Sequence, residues 1–212
     1  MIPRYRVNAR IWEPAPPMDR AVRYEDPLEK FLEEQRKGVI AGEGCQSSDE
    51  QEVQFVDIDL ELVNLDDAVD LVKQVLESAG APVGSELRFE RDGVEESVPF
   101  GVIEGVAVYI DGQNLPNEVY EQWDIEELAE EIDEAMAGTG EIRGAWSGEE
   151  ETALYLYGPS AETIFSMLQP LLTRHPLCQN ARVVLRHGNP ALNPVTVRIP
   201  WLADNRAEDA SF

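Results

Sequence analysis

The stretch FVDIDLEL, Phe55 to Leu62, alternates apolar and acidic residues, so Asp57, Asp59 and Glu61 fall on one side of an extended chain. Carboxylates in such a row can ligate a hard cation, move protons, attract a cationic partner or solvate one face of a strand. Metal binding is not expected there. No compact D-x-D-x-D-G loop exists, and Arg6 and Arg10 of another predicted strand compete for the same carboxylates. His175, Cys178 and His187 have zinc-ligating side chains, but a predicted strand between Cys178 and His187 holds the last of them apart. Signatures of nucleophilic and phosphate chemistry are missing as well: there is no nucleophile elbow and no G-x-x-x-x-G-K-[ST] loop. With only two histidines in the chain, general-base schemes are few. The expectation is a protein without metal, cofactor or catalytic residues.

The charge points elsewhere. Seventeen Lys plus Arg stand against 42 Asp plus Glu, a net −25, which repels nucleic-acid phosphates and anionic membranes and speeds capture of a basic partner. Direct nucleic-acid binding is therefore disfavoured. No apolar run approaches the roughly 18 residues of a membrane span, and MIPRYRVNARIWEP lacks the apolar segment of a secretory leader, so a cytoplasmic protein is expected. Cys45 and Cys178 are too few for a disulfide framework, and a single bridge between them is left open.

The elements that carry these residues come in two similar sets. YEDPLEKFLEEQRKGVIAGEG (24–44), an acidic turn, VQFVDIDLEL and a helix beginning NLDDAVDLV parallel WDIEELAEEIDEAMAGTGEIRGAW (123–146), SGEEE, TALYLYG and a helix beginning PSAETIF. GVIAG (38–42) against GEIRG (140–144) sets their register. Outer strands over Arg4–Trp12, Glu86–Arg91, Val102–Ile110 and Ala181–Arg186 complete the order β-α-β-β-α-β twice. The expected class is α+β: two tandem ferredoxin-like repeats, over 1–100 and 101–200, each an antiparallel sheet with helices on one face, followed by a flexible tail over 201–212. Each repeat closes on a further hairpin, the first turning at Asp92-Gly93. Asn64 and Ser160 are predicted helix caps; Val75 and Met167 fall on apolar helix faces; Pro170 predicts a kink or an early stop.

In this topology the third strand is central and antiparallel to the first, which brings Arg6 and Arg10 beside Asp57, Asp59 and Glu61 on the open sheet face. The excess charge then concentrates on NEVYEQWDIEELAEEIDEAM, which has nine acids from Glu118 to Glu134 and no Lys or Arg. Its predicted solvated face displays Glu126, Glu127, Glu130, Glu131, Asp133 and Glu134, whose like charges three and four residues apart cost helix stability. Tyr120 and Trp123 are candidate aromatic anchors, and the acidic hairpin tips Asp49–Glu52 and Glu149, Glu150 and Glu151 extend the surface.

RYEDPL, FVDIDLEL, GAPVGS (80–85) and ARVVLRHGNP (181–190) resemble a family of small, uncharacterised acidic bacterial proteins. In size, acidity and lack of catalytic machinery the chain is also similar to immunity proteins that neutralise bacterial toxins. That likeness implies a protein-binding module that occludes a basic toxin or nuclease. The alternative is a small-molecule site between the two sheets, built from Arg6, Arg10, Asp57, Asp59, Glu61, Tyr155 and Tyr157. Exposed sheet edges offer a third, purely structural use in oligomerisation, and the oligomeric state is not legible.

Overall fold

Alternation along β1 (Arg4–Ile11) sets the first sheet: Val7, Ala9 and Ile11 are buried, and Arg6, Asn8 and Arg10 between them belong to the opposite face. The computed structural model describes residues 4–47, 52–189 and 194–200. There β1 lies between β3 (Val53–Val63) and β4 (Ser85–Arg91), flanked by β2 (Gly38–Ser47) and β5 (Val94–Phe100), in the order β2-β3-β1-β4-β5. The second sheet joins β6 (Glu104–Asp111), β7 (Glu141–Ser147), β8 (Glu151–Gly158), β9 (Arg182–Arg186) and β10 (Val195–Arg198) in the order β10-β9-β6-β8-β7. Both orders are the ferredoxin-like 4-1-3-2 arrangement with the closing hairpin strand added outside. The protein is α+β, two five-stranded antiparallel sheets with helices, of tandem ferredoxin-like type. GVIAG and GEIRG prove equivalent in detail, since each strand is bulged within the motif, between Ile40 and Gly42 in β2 and between Ile142 and Gly144 in β7.

Helices cover one face of each sheet. A short helix α1 (Pro17–Arg20), a π-helical turn (Ala21–Glu25) and α2 (Asp26–Gln35) run on continuously, and α2 buries Leu28 and Leu32. With Val69, Val72 and Leu76 of α3 (Leu65–Ser78) they meet Val7, Ile58, Leu60 and Leu87 in the first core. In the second half, α4 (Asn117–Gln122) leads into α5 (Ile125–Met136), which buries Leu128, Ile132 and Met136 against Ile164, Leu168 and Leu172 of α6 (Ala161–Arg174) and the sheet. Burying each such side chain stabilises the fold by about 1.5–3 kcal/mol before chain entropy is counted.

Several local expectations need correction. Asn64 stands at the N-cap position of α3 with a left-handed backbone and pairs with Asp67 as expected, but its side chain takes no helix N–H: its amide donates to the Asp67 carboxylate at 2.7 Å. Ser160 does cap α6, accepting the Thr163 N–H. Pro170 does not end that helix, which runs on to Arg174 because Leu171 and Leu172 of its last turn are buried. Met167 and Val75 are only half-buried, at the margins of their apolar stripes. The tail 201–212 and the tip 48–51 lie outside the described residues.

The link between the repeats is pinned. Val102 N–H donates to Ala81 C=O, Val83 N–H donates to Ile103 C=O, and Pro82 and Ile103 form a parallel bridge. Gly101 makes this possible: its φ is +117°, and a Cβ there would stand 2.0 Å from the Pro82 oxygen. Gly101→Ala is expected to destabilise the protein by about 1–3 kcal/mol, seen as a lower urea midpoint with an unchanged m-value; an unaltered midpoint would show that the link carries no strain.

Candidate interaction surfaces

The row of acids that β3 presents is largely neutralised. Register pairs Arg10 with Asp57, Asn8 with Asp59 and Arg6 with Glu61. Arg10 forms a two-pronged bond to Asp57, at 2.9 and 2.7 Å, and its guanidinium lies 3.6 Å over the Phe55 ring. Asp59 accepts the Asn8 amide at 2.8 Å, while the Asn8 oxygen accepts from Arg88. Glu61 takes Arg4, at 3.0 Å, rather than its register neighbour Arg6. This face is a concavity of about 870 Å³ lined by Arg6, Asn8, Asp59, Glu61, Arg88 and Ser97, among others. Part-exposed pairs of this kind add only fractions of a kcal/mol to about 1 kcal/mol each; their main effect is to hold one polar arrangement.

The corresponding face of the second sheet is not open at all. Tyr109, Tyr155 and Tyr157 are buried there with Ala107, Ala153 and Val184, and the segments flanking β1 and β3 lie across them. Both Tyr109 and Tyr155 donate to the Glu52 carboxylate, at 2.7 and 2.6 Å, and Arg186 stands 3.6 Å from it. Glu13, 1% exposed, accepts from Arg23, from the Tyr24 hydroxyl and, at 3.3 Å, from Arg143. Arg143 also bonds the Gly80 carbonyl at 2.8 Å, and so clamps the two halves. Each tyrosine ring faces an arginine: Arg182 over Tyr109, Arg186 beside Tyr155 and Arg143 beside Tyr157. Burial pushes the phenols of Tyr24, Tyr109, Tyr155 and Tyr157 up, keeping them protonated.

Tyr155 and Tyr157 therefore do not converge with Arg6, Arg10, Asp57, Asp59 and Glu61 on a cavity between the sheets. Glu52, expected at an exposed acidic tip, is buried in this seam. Sequence reasoning missed Glu13, Glu52, Arg143 and Arg186 as a group. A signal existed: β8 reads apolar or aromatic on both faces, as a strand covered on both sides must.

The acidic surface on α4 and α5 is exposed as expected. Glu118, Glu121, Asp124, Glu126, Glu127, Glu130, Glu131, Asp133 and Glu134 all face solvent, and among the described residues no Lys or Arg is ion-paired to any of them. Asp124 caps α5, accepting the Glu126 N–H at 2.6 Å. Trp123 is 38% exposed and rests edge-on against His175. Tyr120 is not a free anchor: its hydroxyl donates to the Asp111 carbonyl and accepts the Leu115 N–H. Glu149 and Glu150 are exposed, with carbonyls that take Gln113 and Gly112 of the loop before α4. Glu151 belongs to β8 and pairs with Arg182 instead of extending the acidic surface.

Asp111 organises that loop. Burial acts to raise its pKa, but the Gln113 and Asn114 N–H groups and the Asn180 and Asn114 amides outweigh burial and lower it. Beneath α5, His175 and Cys178 are buried together, and His187 lies beyond β9, so the three do not form a zinc site. Burial holds the His175 imidazole below its ordinary range against the opposing Glu131 charge. Cys178 is a free thiol, pushed up to about 12 by burial and then by Glu131. The Cys45 side chain lies outside what is described.

No protein-family model matches the chain, and the comparison with curated proteins found no match. Among solved structures, an unknown protein from Galdieria sulphuraria aligns over 88% of this chain and 98% of its own, with 14% identity and a TM-score of 0.28. A likeness at that level carries no argument about chemistry. No helix among the described residues is long and apolar enough to cross a membrane.

Two expectations follow. Like charges flank one another along α5, and its last turn has no base to meet the negative end of the helix dipole. The double variant Glu130→Lys/Glu134→Lys should therefore gain about 0.3–1 kcal/mol in low salt, read as a higher melting temperature whose advantage shrinks with added salt. Asp111 has a folded pKa below its unfolded value of about 3.9, so the stability it contributes is complete above that value and is lost as pH falls through the lower, folded one. Asp111→Asn should remove that part of the acid limb of stability, measured by urea unfolding from about pH 5 to pH 2.

Proposed function

We propose that this protein binds a basic protein through the acidic face of α4 and α5, as an inhibitor or immunity protein that occludes a cationic toxin or nuclease. The observation that carries the reading is a contrast within the molecule. The acids of β3 and of the seam are met by arginines, amides or phenols, whereas the nine from Glu118 to Glu134 form one stretch of exposed acids without an ion-paired Lys or Arg among the described residues. Such a field steers a cationic surface into contact and raises the association rate in low salt. Trp123, half-exposed at the junction of α4 and α5, supplies an apolar contact at the centre of the charge.

A second reading uses the first sheet. Its concavity places Arg6, with no ion-paired carboxylate among the described residues, beside Asn8, Asp59 and Ser97, a polar lining suited to a small charged ligand. Arg6→Ala would abolish that binding and leave capture of a basic protein intact.

Affinity capture of basic proteins from the source organism, followed by salt titration, tests the first reading. Capture should weaken steeply with salt, and the captured protein's activity should fall on addition of this one. Glu127→Lys/Glu130→Lys/Glu131→Lys should lose capture by at least about tenfold, since each removed contact is worth up to roughly 1 kcal/mol, while its folding stability holds or rises. Equal capture by the folded triple variant would refute the proposal.

A further inference from the structure

Away from the acidic helices, three elements bring three ligand-bearing side chains to one place. Glu104 opens β6, Glu162 stands in the first turn of α6, and His187 follows β9. One donor atom from each lies within 4.8 Å of the other two. Glu104 Oε2 is 3.4 Å from His187 Nδ1, and Glu162 Oε1 is 3.3 Å from His187 Nε2. Among the described residues, neither glutamate is ion-paired to a Lys or Arg. Two carboxylates and an imidazole thus share a site with no fixed positive charge.

We propose that Glu104, Glu162 and His187 form a surface site for one divalent transition-metal cation of the zinc type. The donor set selects the class: an imidazole nitrogen with carboxylate oxygen suits zinc, nickel or cobalt, whereas magnesium and calcium take oxygen alone. Spacing assigns the roles. Two ligands about 2.0–2.1 Å from a tetrahedral zinc stand roughly 3.3–3.4 Å apart, which is the Glu162 to His187 Nε2 separation. A ring ligating through Nε2 directs its Nδ1–H to an acceptor, and the Glu104 carboxylate, 3.4 Å from Nδ1, is the group placed to take that role when metal binds.

Glu104 is itself held, because the same oxygen accepts the Ala161 N–H at 2.8 Å. The Ser160 hydroxyl lies 3.2 Å from the other oxygen of Glu162 and can donate to it. Glu162 and His187 are the ligands and Glu104 the positioning residue, with water completing the coordination. The positive end of the α6 dipole opposes a cation, but its first free N–H is already committed to Glu104. Bound metal would tie the start of α6 to the strand ends of the second sheet. This site is independent of the acidic face of α4 and α5.

Titrating chelator-stripped, full-length protein with Zn²⁺ in excess Mg²⁺ tests the assignment, since Mg²⁺ occupies diffuse acidic sites. The chain has two histidines and His175 is buried, so imidazole NMR signals report His187 separately. One Zn²⁺ per chain should bind, moving the His187 ring signals and leaving those of His175 in place. His187→Ala and Glu162→Gln should each weaken uptake at least about tenfold; Glu104→Gln should weaken it about tenfold and also change the His187 tautomer populations. Wild-type His187 signals that ignore Zn²⁺, or uptake by folded His187→Ala equal to wild type, would overturn the proposal.

Discussion

Two buried carboxylates, Glu13 and Glu52, hold the architecture together. Taking a carboxylate out of water costs several kcal/mol unless charge and hydrogen bonds replace the solvent. Here each gains multiple donors: Glu13 from Arg23, Tyr24 and Arg143, and Glu52 from Tyr109 and Tyr155 with Arg186 close by. Tyr109, Tyr155 and Arg186 reach Glu52 from the second half, and Glu13 adds Arg143 of that half to Arg23 and Tyr24 of its own, so seating the second sheet on the first repeat completes both sites. The seam defines one docking geometry, which an apolar interface alone would leave looser.

That constraint settles which surfaces remain. The two repeats share a strand order and a matching bulge, yet their uncovered faces differ in use. The face with Tyr109, Tyr155 and Tyr157 is spent on the seam, and the face with Asp57, Asp59 and Glu61 stays in solvent with its charges paired. Exposed acids without an ion-paired Lys or Arg among the described residues also occur on α2, but nine of them follow one another without an intervening base only on α4 and α5, opposite the seam across the second sheet. The proposed association with a cation-rich surface rests on the sign and density of that field.

Much of the fold was legible. From Val56 to Leu62 β3 alternates, and alternation fixed both its buried set and the face of its acids; FVDIDLEL sits on an interior strand beside Arg10 as its pattern implied, with Phe55 buried under that arginine as the exception. Helix stripes such as Leu128, Ile132 and Met136 were equally plain. The individual partners were less so: Glu61 takes Arg4 because long side chains reach diagonally as readily as straight across. Tyr120 read as an interface anchor, but a loop carbonyl and an N–H that only the folded chain brings together use its hydroxyl.

The sequence by itself determined the element order, the repeat, the two cores and the acidic helix face, because each follows from periodicity or composition along a short stretch of chain. Tertiary structure alone decided that Glu52 is a buried clamp and not part of an acidic tip, that Glu151 is paired, and that Glu104, Glu162 and His187 meet. Those outcomes join residues far apart in the chain. Their free energy arises from desolvation and from partners supplied by another element, and no local pattern carries that information.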